Sequence, residues 1–187
     1  MPHMKEMEHR LGALEDVAIA PIAPEHIDSF HRGLDLVARE RQYLDISDAG
    51  SLARFRDYIE KQISNGDPFF VALAQGEVVG WCDIERHSFA ANVHCGTLNI
   101  ALIPRFRDRG LGFRLISATL EQARRVGFVR IQLFVHADNP RAIALYRKVG
   151  FVEEGLLRDA AFMDGKFRDS VLMAKVDRAN AMKETEI

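Results

Sequence analysis

Leu98 to Ile103 alternate in the manner of a strand, Pro104 closes the run, and the turn Arg105-Phe106-Arg107-Asp108-Arg109-Gly110-Leu111-Gly112 leads straight into an amphipathic stretch from Gly112 to Val126. In that stretch Leu111, Leu115, Leu120 and Ala123 recur at helical spacing, Glu121 and Arg125 stand at i,i+4, and Gly127 supplies the stop. A strand passing through a glycine-bearing turn into a long helix demands a layered α/β arrangement. It also places unpaired backbone N–H groups and the positive end of a helix dipole at one spot, which suits an anion.

The rest of the chain fits around this unit. Val17 to Pro21 reads as a first strand, and Pro24-Glu25 opens a helix with Ile27, Phe30, Leu34 and Val37 on one face. Ser51 caps a second helix carrying Leu52, Phe55, Ile59 and Ile63, which Asn65-Gly66 ends. Phe69 to Ala74 and Val78 to Arg86 flank the turn Gln75-Gly76-Glu77 as a hairpin. Ile131, Leu133 and Val135 form a further strand, Asn139-Pro140 starts a short helix ended by Gly150, and Asp164-Gly165 joins the last two strands through Val176. With 187 residues, 48% of them hydrophobic, and no linker or repeat, the chain predicts one domain over residues 17–176. A flexible segment, 1–16, precedes it and a charged tail, 177–187, follows.

Charge and cysteine content narrow the function classes. Lys and Arg number 25 against 27 Asp and Glu, so no global field recruits nucleic acid or acidic lipid, and an anion site must be local. No apolar run is long enough to span a bilayer. Two cysteines, Cys82 and Cys95, without a signal peptide point to core residues in a reducing cytoplasm rather than to a disulfide framework. Neither has a histidine and carboxylate arrangement that would make it a nucleophile. Histidine as a residue type suits proton transfer near neutrality, but at strand ends His94 and His136 read as surface residues, and their spacing with the cysteines matches no zinc pattern; no metal is expected.

Two familiar phosphate motifs fail at the turn. No Gly-Lys-Ser/Thr follows it, and the third glycine of a dinucleotide fingerprint is replaced by Leu115. What remains is a pair of residues without Cβ, Gly110 and Gly112, among Arg105, Arg107, Arg109 and Arg114, which outnumber the single acid Asp108. A pyrophosphate suits this turn; a solvated arginine cluster is the plain alternative.

Arg107-x-x-Gly110-x-Gly112 resembles the acyl-coenzyme-A pyrophosphate loop of the GNAT superfamily of N-acetyltransferases. Downstream, Asn139-x-x-Ala142-x-x-Leu145-Tyr146-x-x-x-Gly150-Phe151 resembles a second segment of that superfamily, in the same order and spacing. Gly155, Arg158, Gly165 and Asp169 resemble, less specifically, its ribosomal-protein-type and phosphinothricin-type branches. The resemblance implies a mixed, mainly antiparallel twisted sheet of about seven strands with about four helices. It implies a sheet that splays between its fourth and fifth strands, Leu98 to Ile103 and Arg130 to Val135. The pantetheine arm of acetyl-CoA would lie in that gap. Backbone groups of Ile100 and Leu102 would face pantetheine and thioester, and backbone N–H groups of Arg107, Asp108, Arg109, Gly110, Leu111 and Gly112 would bind the pyrophosphate. A main-chain N–H near Leu102 would stabilise the oxyanion. By side chain, Ile100 and Leu102 are also plain core residues.

Asn139, Ala142 and Tyr146 complete the implied cofactor site. Asn139 is in any case a good N-cap, and Tyr146 could be half-buried core. By resemblance Tyr146 stands beside the thioester sulfur as general acid: a phenol of pKa about 10 stays protonated at neutral pH and can protonate a departing thiolate of pKa about 8.5. The general base departs from the family pattern, because residues 94–99 contain no carboxylate where many relatives have one on the fourth strand. Asp83 and Glu85 share a strand face with Trp81 and are the candidates, though both also read as solvent-facing acids. The acceptor pocket falls to the first two helices and their connector, where Glu40 and Tyr43 offer a carboxylate and an aromatic wall for an ammonium; a polar loop with its own internal contacts is the other reading.

The function expected is therefore transfer of acetyl from acetyl-CoA to a primary amine of a small molecule or a protein N-terminus, by direct attack in a ternary complex. A non-catalytic acyl-CoA-binding regulatory module is the rival. A nucleic-acid-binding domain is disfavoured by the near-zero net charge, and a homodimer is possible because relatives are often dimers.

Overall fold

Short alternating runs give seven strands: β1 (Ala18–Pro21), β2 (Phe69–Ala74), β3 (Glu77–Arg86), β4 (Cys95–Leu102), β5 (Arg130–His136), β6 (Val152–Met163) and β7 (Lys166–Val176). The runs with helical spacing give α1 (Ile27–Ala38), α2 (Leu52–Asn65), α3 (Leu111–Arg125) and α4 (Pro140–Lys148). This computed structural model describes residues 17–179; the N-terminal segment 1–16 and most of the charged tail lie outside the described residues. All the strands belong to one sheet of order β1-β2-β3-β4-β5-β7-β6, antiparallel except between β4 and β5. No helix among the described residues is long and apolar enough to cross a membrane.

Local chemistry accounts for the connections. Gln75-Gly76 and Asp164-Gly165 both take positive φ, 52° and 80° in the first pair and 53° and 76° in the second, the backbone a two-residue hairpin needs to match strand twist. Gly66, at φ 71°, ends α2 as a left-handed cap. Asn139 caps α4, its Oδ1 accepting from the Ala142 N–H at 3.1 Å. Ser51 stands at the start of α2 but makes no side-chain capping bond.

The main core lies between the sheet and α1, α2 and α3. Phe30 of α1 is its hub, with its ring centroid 5.0 Å from Phe55, 5.6 Å from Phe69 and 4.9 Å from Trp81. Leu115, Ile116 and Ala123 of α3 are fully buried on the sheet. Each such large side chain contributes about 1.5–3 kcal/mol by leaving water.

β4 starts at Cys95 rather than at Leu98 as expected. Gly96 disguises its first turn of pairing, because glycine is a poor strand residue, yet here a Cβ would come within 2.5 Å of both Ile84 Cγ2 and Phe128 Cε1. Gly96→Val should therefore lower the melting temperature by about 2–12 °C, the overpacking of a full core position costing about 1–3 kcal/mol. A melting curve checks it, and an unchanged midpoint would mean that Phe128 can move aside.

Candidate active site

β4 and β5 pair only over Cys95↔Arg130, Gly96↔Ile131 and Thr97↔Gln132, then part. On its other edge β4 stays paired with β3 as far as Gly80↔Leu102. The bonds His87 N–H to Cys95 O and Ile103 N–H to Val79 O, each 3.0 Å, fix the phase of that ladder. Odd-numbered residues of β4 bond to β3, so the N–H and C=O groups of Leu98, Ile100 and Leu102 point to the β5 side, where no strand meets them beyond Thr97. The parting opens a cavity of about 1030 Å³ that Leu98, Ile100, Leu102, Val135, Asn139 and Tyr146 help to line.

At the end of β4 the chain makes a single 3₁₀ turn, Pro104–Phe106, and enters α3 through Asp108 at φ 62° and Gly110 at φ 78°. A side chain at Gly110 would meet nothing within 4 Å, so the conformation alone calls for glycine there. Gly112 serves packing: a Cβ would press on Leu145 Cδ2 of α4 at 3.0 Å. The N–H groups of Asp108 through Gly112 find no acceptor among the described residues, which leaves them for an anion. Asp108, Gly110 and Gly112 line the cavity, whereas Leu111 is core, 2% exposed, and Arg109 is not part of the lining.

The arginine cluster is less open than its sequence suggests. Arg107 binds both oxygens of Glu40 at 2.6 and 2.7 Å, donates through Nε to Leu102 O at 2.9 Å, and lies 4.7 Å over the Tyr43 ring. Arg114 donates to Val17 O at 2.8 Å. Arg141 of α4 pairs with Asp108 across the mouth of the cavity. The Arg107 N–H, expected to bind the pyrophosphate, instead closes the 3₁₀ turn on Pro104 O at 3.2 Å, and Glu40, expected to face an ammonium, already holds a guanidinium.

Tyr146 is buried at 7% exposure on the face of α4 that also carries Ala142 into the cavity. Its ring lies 6.1 Å from Phe151. Burial, with the nearby Cys82 thiol as a smaller contributor, pushes the phenol well above its ordinary value, so it stays protonated at any working pH. Cys82 and Cys95 are both buried and free, and burial likewise raises the Cys82 thiol.

Of the two candidate bases only Asp83 lines the cavity. Burial pushes its carboxyl up to about 7, opposed by a hydrogen bond from Asn99 Nδ2 at 3.0 Å and reinforced by the charge of Glu85. Glu85 is exposed two residues along, facing Thr97 across the ladder. Tyr58 of α2 closes this end; burial and the two acids raise its phenol to about 12.

Asn99, Tyr58 and His136 were not singled out as site residues. The register Asp83↔Asn99 holds the signal for the first, since cross-strand partners share a face. Tyr58 sits on the outer side of an amphipathic helix, where sequence shows only a surface residue. His136 corrects an expectation: it is 7% exposed and lines the cavity, because the connector between α1 and α2 covers the end of β5. Its Nε2 stands 3.5 Å from Asp45 Oδ1, and its buried Nδ1 has no partner among the described residues.

A seven-stranded, mainly antiparallel sheet parted between β4 and β5, with a turn of acceptor-free N–H groups at the head of α3, defines a mixed α/β fold with a cleft through its sheet. The sequence profile of the Acetyltransferase (GNAT) family matches residues 35–151. This chain belongs to that family. It is 32% identical over 107 residues to an L-amino acid N-acetyltransferase of Escherichia coli, covering 57% of this chain and 66% of the relative. It is 26% identical over 166 residues to a spermidine N(1)-acetyltransferase of Escherichia coli, covering 87% of each. The chain spans under two thirds of the length of several curated relatives, 36% and 42% for two others. Among solved structures, an acetyltransferase of the GNAT family from Streptococcus pneumoniae superposes with TM-score 0.80 at 28% identity, covering 86% of this chain and 99% of that one. A phosphinothricin acetyltransferase from Sinorhizobium meliloti in complex with acetyl-CoA shares the fold, with TM-score 0.81 at 22% identity, covering 87% and 89%.

Proposed function

We propose that this protein is an acetyl-CoA-dependent N-acetyltransferase acting on a primary amine by direct attack in a ternary complex. The observation that carries the reading is the conjunction, in one cavity, of the open backbone of β4, the acceptor-free N–H groups before α3, and the side chains of Tyr146 and Asp83.

Acetyl-CoA enters with its pyrophosphate on the N–H groups of residues 108–112, near the capping Asn139 and Ala142, and its pantetheine arm along Ile100 and Leu102. The neutral amine attacks the thioester carbonyl carbon. Asp83 takes the proton that the nitrogen loses, and Asn99 holds the carboxylate in place. The Leu102 N–H stabilises the tetrahedral oxyanion. When the carbon–sulfur bond breaks, the electron pair leaves on sulfur and Tyr146 supplies its proton; solvent then reprotonates the tyrosine and relieves Asp83. Buried, free Cys82 and Cys95 suit a reducing cytoplasm.

The two named relatives act on different amines, one on an amino acid and one on a polyamine. Here the acceptor end carries Asp83, Asp45, Tyr58 and Tyr43, while the guanidinium of Arg107 is taken by Glu40. That balance favours a cationic amine without a neighbouring carboxylate. A thiol-release assay over monoamines, diamines, amino acids and N-terminal peptides tests both levels. Release with a cationic amine supports the full reading, and a preference for amino acids overturns the acceptor class alone. A rise in melting temperature with acetyl-CoA but no release from any amine favours the binding-module rival.

A further inference from the structure

The connector between α1 and α2, residues 39–51, has almost no main-chain support. Glu40 and Arg41 bond back to α1, but the ladder and helix bonds then stop until Ser51. Arg41, at φ 53°, turns the chain out of the helix in a conformation that needs outside support. That support comes from side chains. Arg168 donates to Gln42 O at 2.8 Å, and Arg41 pairs with Asp164 at 2.6 Å, which ties the connector to the β6–β7 hairpin. Asp35 and His31 of α1 hold Ala49 and Gly50 at the far end, and between these ties stands Arg107, which leads directly into the proposed pyrophosphate-binding turn at 108–112.

Arg107 is fully committed. The fork of its guanidinium grips Glu40, its Nε holds Leu102 O, and its face covers Tyr43. Its side chain is 18% exposed and that of Glu40 22%, so the pair is shielded enough for its loss to be felt. A planar, five-donor fork can hold a strand end, a carboxylate and a ring at once; an ammonium cannot.

We infer that Arg107 is a positioning residue that couples the two halves of the site. Its backbone runs straight into the turn that would hold the acyl carrier, while its side chain fixes the connector that walls the acceptor end. An anion seated on residues 108–112 steadies the turn that Arg107 opens, and Arg107 in turn steadies Glu40 to Asp45, so binding of the carrier orders the acceptor wall. The inference rests on the reading under Proposed function.

Amide hydrogen exchange with acetyl-CoA as the probe tests it without knowledge of the acceptor. In the wild-type protein acetyl-CoA should slow exchange across residues 41–47. In Glu40→Gln those amides should exchange about tenfold faster, and acetyl-CoA should no longer slow them although it still binds. Arg107→Lys, which keeps the charge beside the diphosphate, should loosen the connector equally, and the double variant should add nothing to either single one. Once an acceptor is found, both variants should raise its KM more than they lower kcat. Acetyl-CoA that binds the wild type without changing exchange at 41–47 overturns the coupling alone. So does a rise of about tenfold in acetyl-CoA affinity in Glu40→Gln, which would mean that the released Arg107 side chain moves to the diphosphate. Failure of the wild type to bind acetyl-CoA removes the functional reading, and this inference with it.

Discussion

Asp83→Asn should lose about 10²- to 10⁴-fold in kcat, the range a positioned general base contributes, with acetyl-CoA binding nearly intact. The wild-type rate should climb with pH through an acid limb centred near 7, where the Asp83 carboxyl ionises in the folded protein. Asn99→Ala removes the hydrogen bond that favours the carboxylate, so the limb should move to higher pH. The same residue makes a stability prediction of opposite sense. Its folded value of about 7 lies above its ordinary 3.8, so between those pH values the native state retains a proton that the unfolded chain has released. Stability therefore falls as pH rises through that window, by at most a few kcal/mol. Asp83→Asn should melt higher than the wild type at pH 8 and show no such gain at pH 4. A variant that keeps its activity, or that melts lower at pH 8, would remove Asp83 from the role.

Tyr146→Phe is expected to lower kcat by about 10²-fold, since it deletes one hydroxyl from a ring that otherwise packs unchanged beside Phe151. Affinity for acetyl-CoA and the melting temperature should hardly move, because the hydroxyl is not what fills the space. The defect should shrink with a donor whose leaving group needs no proton, such as acetyl-selenocoenzyme A. Equal losses with sulfur and selenium donors would assign the tyrosine to packing instead.

The fold was largely legible because its signals are local. Hairpin turns announce themselves in Gln75-Gly76 and Asp164-Gly165, helix ends in Gly66 and Asn139, and faces in the spacing of Phe30 and Leu115. The donor half of the site was legible for a related reason: the turn from Arg107 to Gly112 and the face from Asn139 to Tyr146 are each short and contiguous. The acceptor half was not. Asn99 acquires meaning only through its register with Asp83, and His136 only through a connector that folds over it from about ninety positions upstream. Glu40 was picked out for its charge, but that charge is consumed by Arg107, a pairing across 67 positions that no periodicity reveals. Side chains that meet through tertiary structure carry little trace of one another in the linear chain.

The three residue pairs that join β4 to β5 hold together two leaves of a sheet that is otherwise unstitched along this line. Main-chain groups of Leu98 and Ile100, and the N–H of Leu102, would form rungs in a continuous sheet and meet no strand on one leaf, at the regular interval of a strand. On the proposed function, an extended guest bearing amides of its own would knit the seam, and the loaded protein would be stiffer across its middle than the empty one. The weakest line in the architecture is thus also where occupancy is felt most.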